Sequence, residues 1–180
     1  MSVAGRGLLA GCNWVLENSN IVVSGLTAVF VLYTRSAGVA YFTAGAVVCS
    51  RTAKLVKRLI REPRPLHPEP GRQKSSYGMP STHSAVITYY ALYTILASVN
   101  FPIHPSLPDS PWTRAIAPLI ITPWAIAIAT SRIWLGHHTW RQVLAGFTHG
   151  VVFTFIWYRI WIRGGNEYGK VLERTYFPPR

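Results

Sequence analysis

Five apolar segments, at residues 21–34, 39–53, 84–101, 115–130 and 143–162, alternate with polar junctions along the 180-residue chain. A helix crosses the hydrocarbon core with roughly 20 residues, about 17 at the least. In lipid, every backbone N–H and C=O must find its partner inside the segment. The first segment just spans when residues 17–20 serve as its wet end. The alternation of apolar segments with polar junctions predicts an all-α fold: a polytopic integral membrane helix bundle of about 4–5 transmembrane helices, with its site at one membrane face. Pro118 and Pro123 fall inside the fourth segment, where a membrane helix tolerates them. Residues 1–20 read as an N-terminal interfacial segment, with 8–16 along the membrane surface. Residues 21–162 read as the embedded domain and 163–180 as a polar, partly disordered C-terminal tail.

Charge enters because it opens a competing reading. The net charge of +12 raises nucleic acid as a partner, yet only 13% of residues are charged and 49% are hydrophobic. The cations collect between Arg51 and Lys74 and after Arg159, and the apolar segments between are nearly uncharged. That distribution fits a membrane protein with an anion site and argues against a nucleic-acid partner. Cys12 and Cys49 form no CxxC and have no histidine beside them, so neither a disulfide framework nor a zinc site is predicted. The N-terminus lacks the charged and apolar regions of a removable signal peptide.

Three junctions carry chemistry. In the first, Lys57 and Arg64-Pro65 stand in a basic run, and the six carboxylates of the chain are too few and too scattered to neutralise it. A bound polyanion is the natural partner, Arg64 as a bidentate donor and Lys57 as a point charge. Lys54, Arg58 and Arg61 read instead as a juxtamembrane cluster for anionic headgroups. In the second, Pro80-Ser81-Thr82-His83 precedes an apolar helix. Ser81 as N-cap would leave the Thr82 and His83 N–H groups for an anion, within reach of the Ser81 hydroxyl and the His83 ring. The alternative is an ordinary capped helix with a solvated histidine. In the third, Ser131-Arg132 leads to Gly136-His137-His138, where His138 can face the same anion as a nucleophile, with His137 its competitor. Gln142 has two readings: it closes a capping box with Thr139, or its amide oxygen orients His138. If the segments alternate across the membrane, all three junctions lie on one face.

Lys57…Arg64-Pro65, Pro80-Ser81-Thr82-His83 and Ser131-Arg132…His138…Gln142 together resemble the three motifs of the type 2 phosphatidate phosphatase superfamily, which includes the vanadium haloperoxidases. The wording around them is similar to the dolichyl-diphosphatase branch: Arg61-Glu62-Pro63-Arg64-Pro65, Tyr77-Gly78-Met79-Pro80-Ser81 and His138-Thr139-Trp140, then Gln142-Val143. Thr82 replaces the superfamily's usual glycine, and Gln142 replaces the aspartate that orients the nucleophile, a change shared with that branch.

The resemblance implies an integral membrane lipid phosphatase that hydrolyses dolichyl diphosphate to dolichyl phosphate and inorganic phosphate through a phosphohistidine. It implies a catalytic set of His138 as nucleophile, His83 as acid and Gln142 orienting His138. Lys57, Arg64, Ser81, Thr82 and Arg132 would bind phosphate, with no metal and no cofactor. It further implies a multi-pass protein of the endoplasmic reticulum membrane, lumen-facing, whose product supports N-glycosylation. Counting positive charges would place the basic face in the cytosol, but cations occupied by substrate phosphate are discounted from that count. Other polyprenyl diphosphates such as undecaprenyl diphosphate, phosphatidate and sphingoid-base phosphate are alternative substrates for the same residues. A silent headgroup binder is the alternative of another class. Oligomeric state is not legible.

Overall fold

The computed structural model describes residues 11–12, 14–67, 71, 73–104 and 107–176. Of the expected interfacial stretch 8–16, residues 11–12 and 14–16 are described and helical, and the rest lies outside the described residues. Among the described residues, the helices that form the bundle are α1 (Ser19–Thr34), α2 (Ala37–Ile60), α3 (Thr82–Asn100), α4 (Pro111–Trp134), α5 (Trp140–Ile160) and α6 (Asn166–Tyr176), the last two joined by a π-helical turn (Trp161–Gly165). No strand occurs among the described residues. α4 and the helical stretch from Trp140 to Thr175 are long and apolar enough to cross a membrane.

The helix ends follow local chemistry. Ser110 caps α4 through Trp112 N with Pro111 in the first turn, where its missing N–H costs nothing. Arg35 and Arg61 end α1 and α2 in the left-handed region, at φ 50° and 57°. α2 runs beyond the expected limit of residue 53, because Lys54, Lys57 and Arg58 are good helix formers and the chain breaks only before Pro63.

α3 is the central helix, packed against α5, α4 and α2. α5 approaches it closely through Gly146 and Gly150. A Cβ there would lie 2.5 Å from the Ser81 and Ala85 carbonyl oxygens, respectively, so only glycine permits this small-residue packing. The core is aromatic: Tyr89, Tyr90 and Tyr93 surround Phe42, and the Tyr89 hydroxyl donates to Phe42 O at 2.8 Å. Thr27, Thr34, Thr88 and Thr154 are buried, while Leu26, Leu32, Leu119, Ile126, Val152 and Phe155 are exposed. A bundle that hides hydroxyls and presents aliphatic side chains outward is built for a lipid solvent.

The tail departs from the sequence expectation. After a kink at Arg163 and Gly164, α6 folds back against the start of α2, and Glu173 Oε1 accepts from Ser36 Oγ at 3.0 Å and from Ala37 N. Residues 177–180 lie outside the described set.

Candidate active site

The end of α2, the start of α3, the end of α4 and the start of α5 meet at one level of the bundle. Past α4, Gly136 at φ 72° turns the chain, and Arg132 O accepts from both His137 N and His138 N at 3.0 Å. This brings His138, 4% exposed, under the first turn of α5. Its Nδ1 lies 3.0 Å from Gln142 Oε1, which can only accept. Its Nε2 lies 3.0 Å from Arg64 Nη1, which can only donate. Both partners select one tautomer: the proton sits on Nδ1, and Nε2 carries the lone pair. Burial, and then the Arg64 guanidinium, push the imidazole down to about 3, so the ring is neutral at ordinary pH.

Gln142 is the most connected side chain of the site. Its Oε1 also accepts from Thr139 N at 3.4 Å, and Thr139 Oγ1 accepts from Gln142 N at 3.4 Å. The capping box and the orientation of His138 therefore coexist, because one amide oxygen has two lone pairs. Gln142 Nε2 donates to Glu62 Oε1 at 2.9 Å and to Pro63 O at 2.8 Å. Gly78 lies so close over this amide that a Cβ would sit 2.3 Å from Nε2.

The cations divide into two kinds. Lys57 donates to Tyr77 O at 3.1 Å. Arg64 is steered by Ser76, donating from Nε to its carbonyl at 2.9 Å and from Nη2 to its hydroxyl at 3.0 Å, and from Nη1 to His137 O at 2.9 Å. Both line a cavity of about 890 Å³ together with Thr82, His83 and His138. The cavity continues past Val23, Val86, Tyr90 and Ile128, so it has a cationic part and an apolar part. Thr82 Oγ1 is buried there without a hydrogen-bond partner. Arg132 is different. It is 1% exposed and does not line the cavity; Nη2 donates to Leu16 O and, at 2.9 Å, to Ser131 Oγ.

Ser81 caps α3 as expected, but its hydroxyl is fully buried and accepts from Ser84 N and Ser84 Oγ, outside the cavity lining. The Thr82 and His83 N–H groups remain at the open first turn of α3. His137 faces away, its ring 5.2 Å from that of His67. Burial, then Lys74 and Arg132, lower its imidazole to about 4. Lys54 and Arg58 also line the cavity, whereas Arg61 is exposed, its Nε donating to Arg58 O.

Sequence reasoning did not assign Glu62, Ser76, Tyr77 or Gly78 to the site. Glu62 was legible as a lone carboxylate in a run of cations. Tyr77 works through its carbonyl and Gly78 through a missing side chain, and neither leaves a chemical signal. Among the described residues, no three His, Cys, Asp or Glu side chains converge as a metal-binding group.

The chain has relatives among known proteins. The chain is similar to dolichyldiphosphatase 1 of Rhinolophus ferrumequinum, 28% identical over 149 residues, covering 79% of this chain and 61% of that one. It is 30% identical over 134 residues to dolichyldiphosphatase 1 of Dictyostelium discoideum, covering 72% and 55%. The chain thus spans a little over half the length of these relatives. Its fold resembles the crystal structure of a transmembrane PAP2-type phosphatidylglycerolphosphate phosphatase from Bacillus subtilis, with TM-score 0.64 and 20% identity, covering 91% of this chain and 79% of that one. The model of the PAP2 superfamily matches residues 23–164, a stretch that contains all four helix ends of the site, and the chain belongs to that superfamily.

Proposed function

We propose that this protein is a membrane lipid diphosphate phosphatase that acts on dolichyl diphosphate. The carrying observation is the cavity in which the Nε2 lone pair of His138 faces cationic side chains while the adjoining wall is apolar. Such a space suits a lipid whose head is a diphosphate and whose tail is a hydrocarbon. The relatives named dolichyldiphosphatase support the choice of lipid.

In this reading the terminal phosphate displaces Arg64 from His138 and is held by Lys57, Arg64, Thr82 and the first N–H groups of α3. Nε2 attacks phosphorus, the bond from phosphorus to the bridging oxygen breaks, and the lipid monophosphate leaves with that electron pair. Burial and then Arg132 and Lys74 lower the His83 imidazole to about 3. The negative charge of the entering diphosphate offsets those cations, and His83 takes up a proton from it and delivers it to the leaving oxygen when the leaving group requires one. Water then attacks the phosphohistidine, its proton passing to His83 where His83 has given one up and otherwise staying with the inorganic phosphate released, and His138 is restored. Arg132 and Ser81 act from behind, holding the 131–138 turn and the start of α3, rather than by direct contact. Residues 21–162 are the membrane-embedded unit on this reading, resident in the endoplasmic reticulum with the site facing the lumen.

The test is phosphate release by the purified protein in detergent, with EDTA present, from a panel of dolichyl diphosphate, undecaprenyl diphosphate, phosphatidate and sphingoid-base phosphate. Preference for dolichyl diphosphate is expected. Equal or greater release from phosphatidate would reassign the substrate, and activity restored only by Mg²⁺ would overturn the metal-free route. Glycosylation tags placed before residue 62 or in the 102–110 connection would report which face carries the site.

A further inference from the structure

We propose that Glu62 is a positioning residue of this site, holding Gln142 in the one amide orientation that presents His138 for attack. The inference rests on the phosphatase reading above for its kinetic consequences but not for its geometry. An amide has two ends of nearly equal shape, and turning it over costs little unless its neighbours object. If Gln142 were flipped, its NH₂ would face His138 Nδ1–H, donor against donor, and the ring would be driven to the opposite tautomer with its proton on the attacking nitrogen. Two acceptors at Nε2 forbid the flip: Glu62 Oε1 at 2.9 Å and Pro63 O at 2.8 Å. The carboxylate is the stronger partner, since a hydrogen bond to an ionised acceptor is roughly twice as strong as a neutral one.

Several local features bring Glu62 there. Arg61, in the left-handed region, ends α2 and turns the chain; Glu62 O accepts from Gly78 N at 2.7 Å; and Gly78 has no side chain to displace the amide. The charge matters as well as the geometry. His138 gains positive character as it attacks, and the groups acting on it are Arg64 from the 61–81 connection, Lys57 from α2 and His83 from α3, with the neutral Gln142 from α5. Glu17 acts instead on Arg132, Lys74 and His137. Glu62 thus supplies, one hydrogen bond further out, the negative charge that an aspartate at position 142 would have supplied directly.

The experiment compares wild type, Glu62→Gln and Glu62→Ala by steady-state kinetics across pH, and by ¹⁵N chemical shifts of His138 in the substrate-free protein. Glu62→Gln keeps an acceptor and removes the charge. Its kcat is expected to fall about tenfold with KM little changed, and the acidic limb of its pH–rate profile to move down by about half a unit to one unit. Its Nδ1–H tautomer should persist. Glu62→Ala should lose more turnover and show a mixture of tautomers. An unshifted limb in Glu62→Gln, or a pure Nδ1–H tautomer in Glu62→Ala, would overturn the proposal even if thermal stability fell. A wild-type protein silent toward every lipid phosphate would overturn the phosphatase reading alone, because the ¹⁵N spectra would still decide the role of Glu62.

Discussion

At one end of the bundle α2 stops among Lys57, Arg58 and Arg64, with His138 and the cavity beside them. At the other end its first turn is closed by Glu173, which accepts from Ser36 Oγ and Ala37 N and pins α6 in place. The second end is a finished contact: an acceptor meets the free N–H groups of a helix N-terminus, where negative charge belongs. The first end carries more positive charge than its carboxylate can offset, and that carboxylate is engaged by an amide rather than by a cation. The same helix is thus tied down at one terminus and left electrostatically unsatisfied at the other. Residues at the unsatisfied terminus should govern turnover, and those at the tied terminus should govern stability.

The largest effect should come from His138→Ala, which removes the proposed nucleophile and should lower turnover by three orders of magnitude or more, roughly as for other covalent catalysts. A folded His138→Ala protein with near-normal phosphate release would collapse the distinction between the ends. Gln142→Leu should follow, with a loss of about a hundredfold, because His138 Nδ1, Glu62 and Pro63 O all lose their partner at once. It should also destabilise by about 1 kcal/mol through the lost capping box. Loss of thermal stability without loss of turnover would make Gln142 a helix cap and nothing more.

A pH effect sharpens the contrast. His138 is held down to about 3 in the folded protein against an ordinary value of 6.5, so the unfolded chain takes up a proton that the folded one refuses. The stability tied to this group is complete above about pH 6.5 and declines as pH falls toward about 3. A melting temperature that falls on acidification, and falls less in His138→Ala, is expected. The smallest effect belongs to the far end. Glu173→Ala should cost about 1 kcal/mol, or some 2–4 °C in melting temperature, with kcat and KM unchanged. Altered kinetics in Glu173→Ala would show that the two ends are coupled.

The bundle was legible because apolar runs of near-spanning length leave the backbone little choice. The caps Ser81 and Thr139 were legible because their side chains compete locally for backbone N–H groups. Other features depend on contacts between distant segments. α2 extends to Ile60 because lysine and arginine support a helix even where they end an apolar run. α6 has few apolar residues, and Glu173 holds it to a partner more than a hundred residues earlier. The motif containing Arg132 marks a cation near the site. Only the fold reveals that its guanidinium is spent on Leu16 and Ser131, leaving Arg64 as the one that touches His138.

That contact of Arg64 with His138 Nε2 makes ligand entry an exchange. A group entering the cavity must offer the guanidinium a better acceptor than a neutral imidazole, and a phosphate does so with charge and bidentate geometry. An uncharged alcohol with the same hydrocarbon tail cannot, so it fills the apolar wall while the nitrogen stays covered. On the proposed function, a phosphorylated lipid is told from its bare alcohol before any bond changes, by a competition for one arginine.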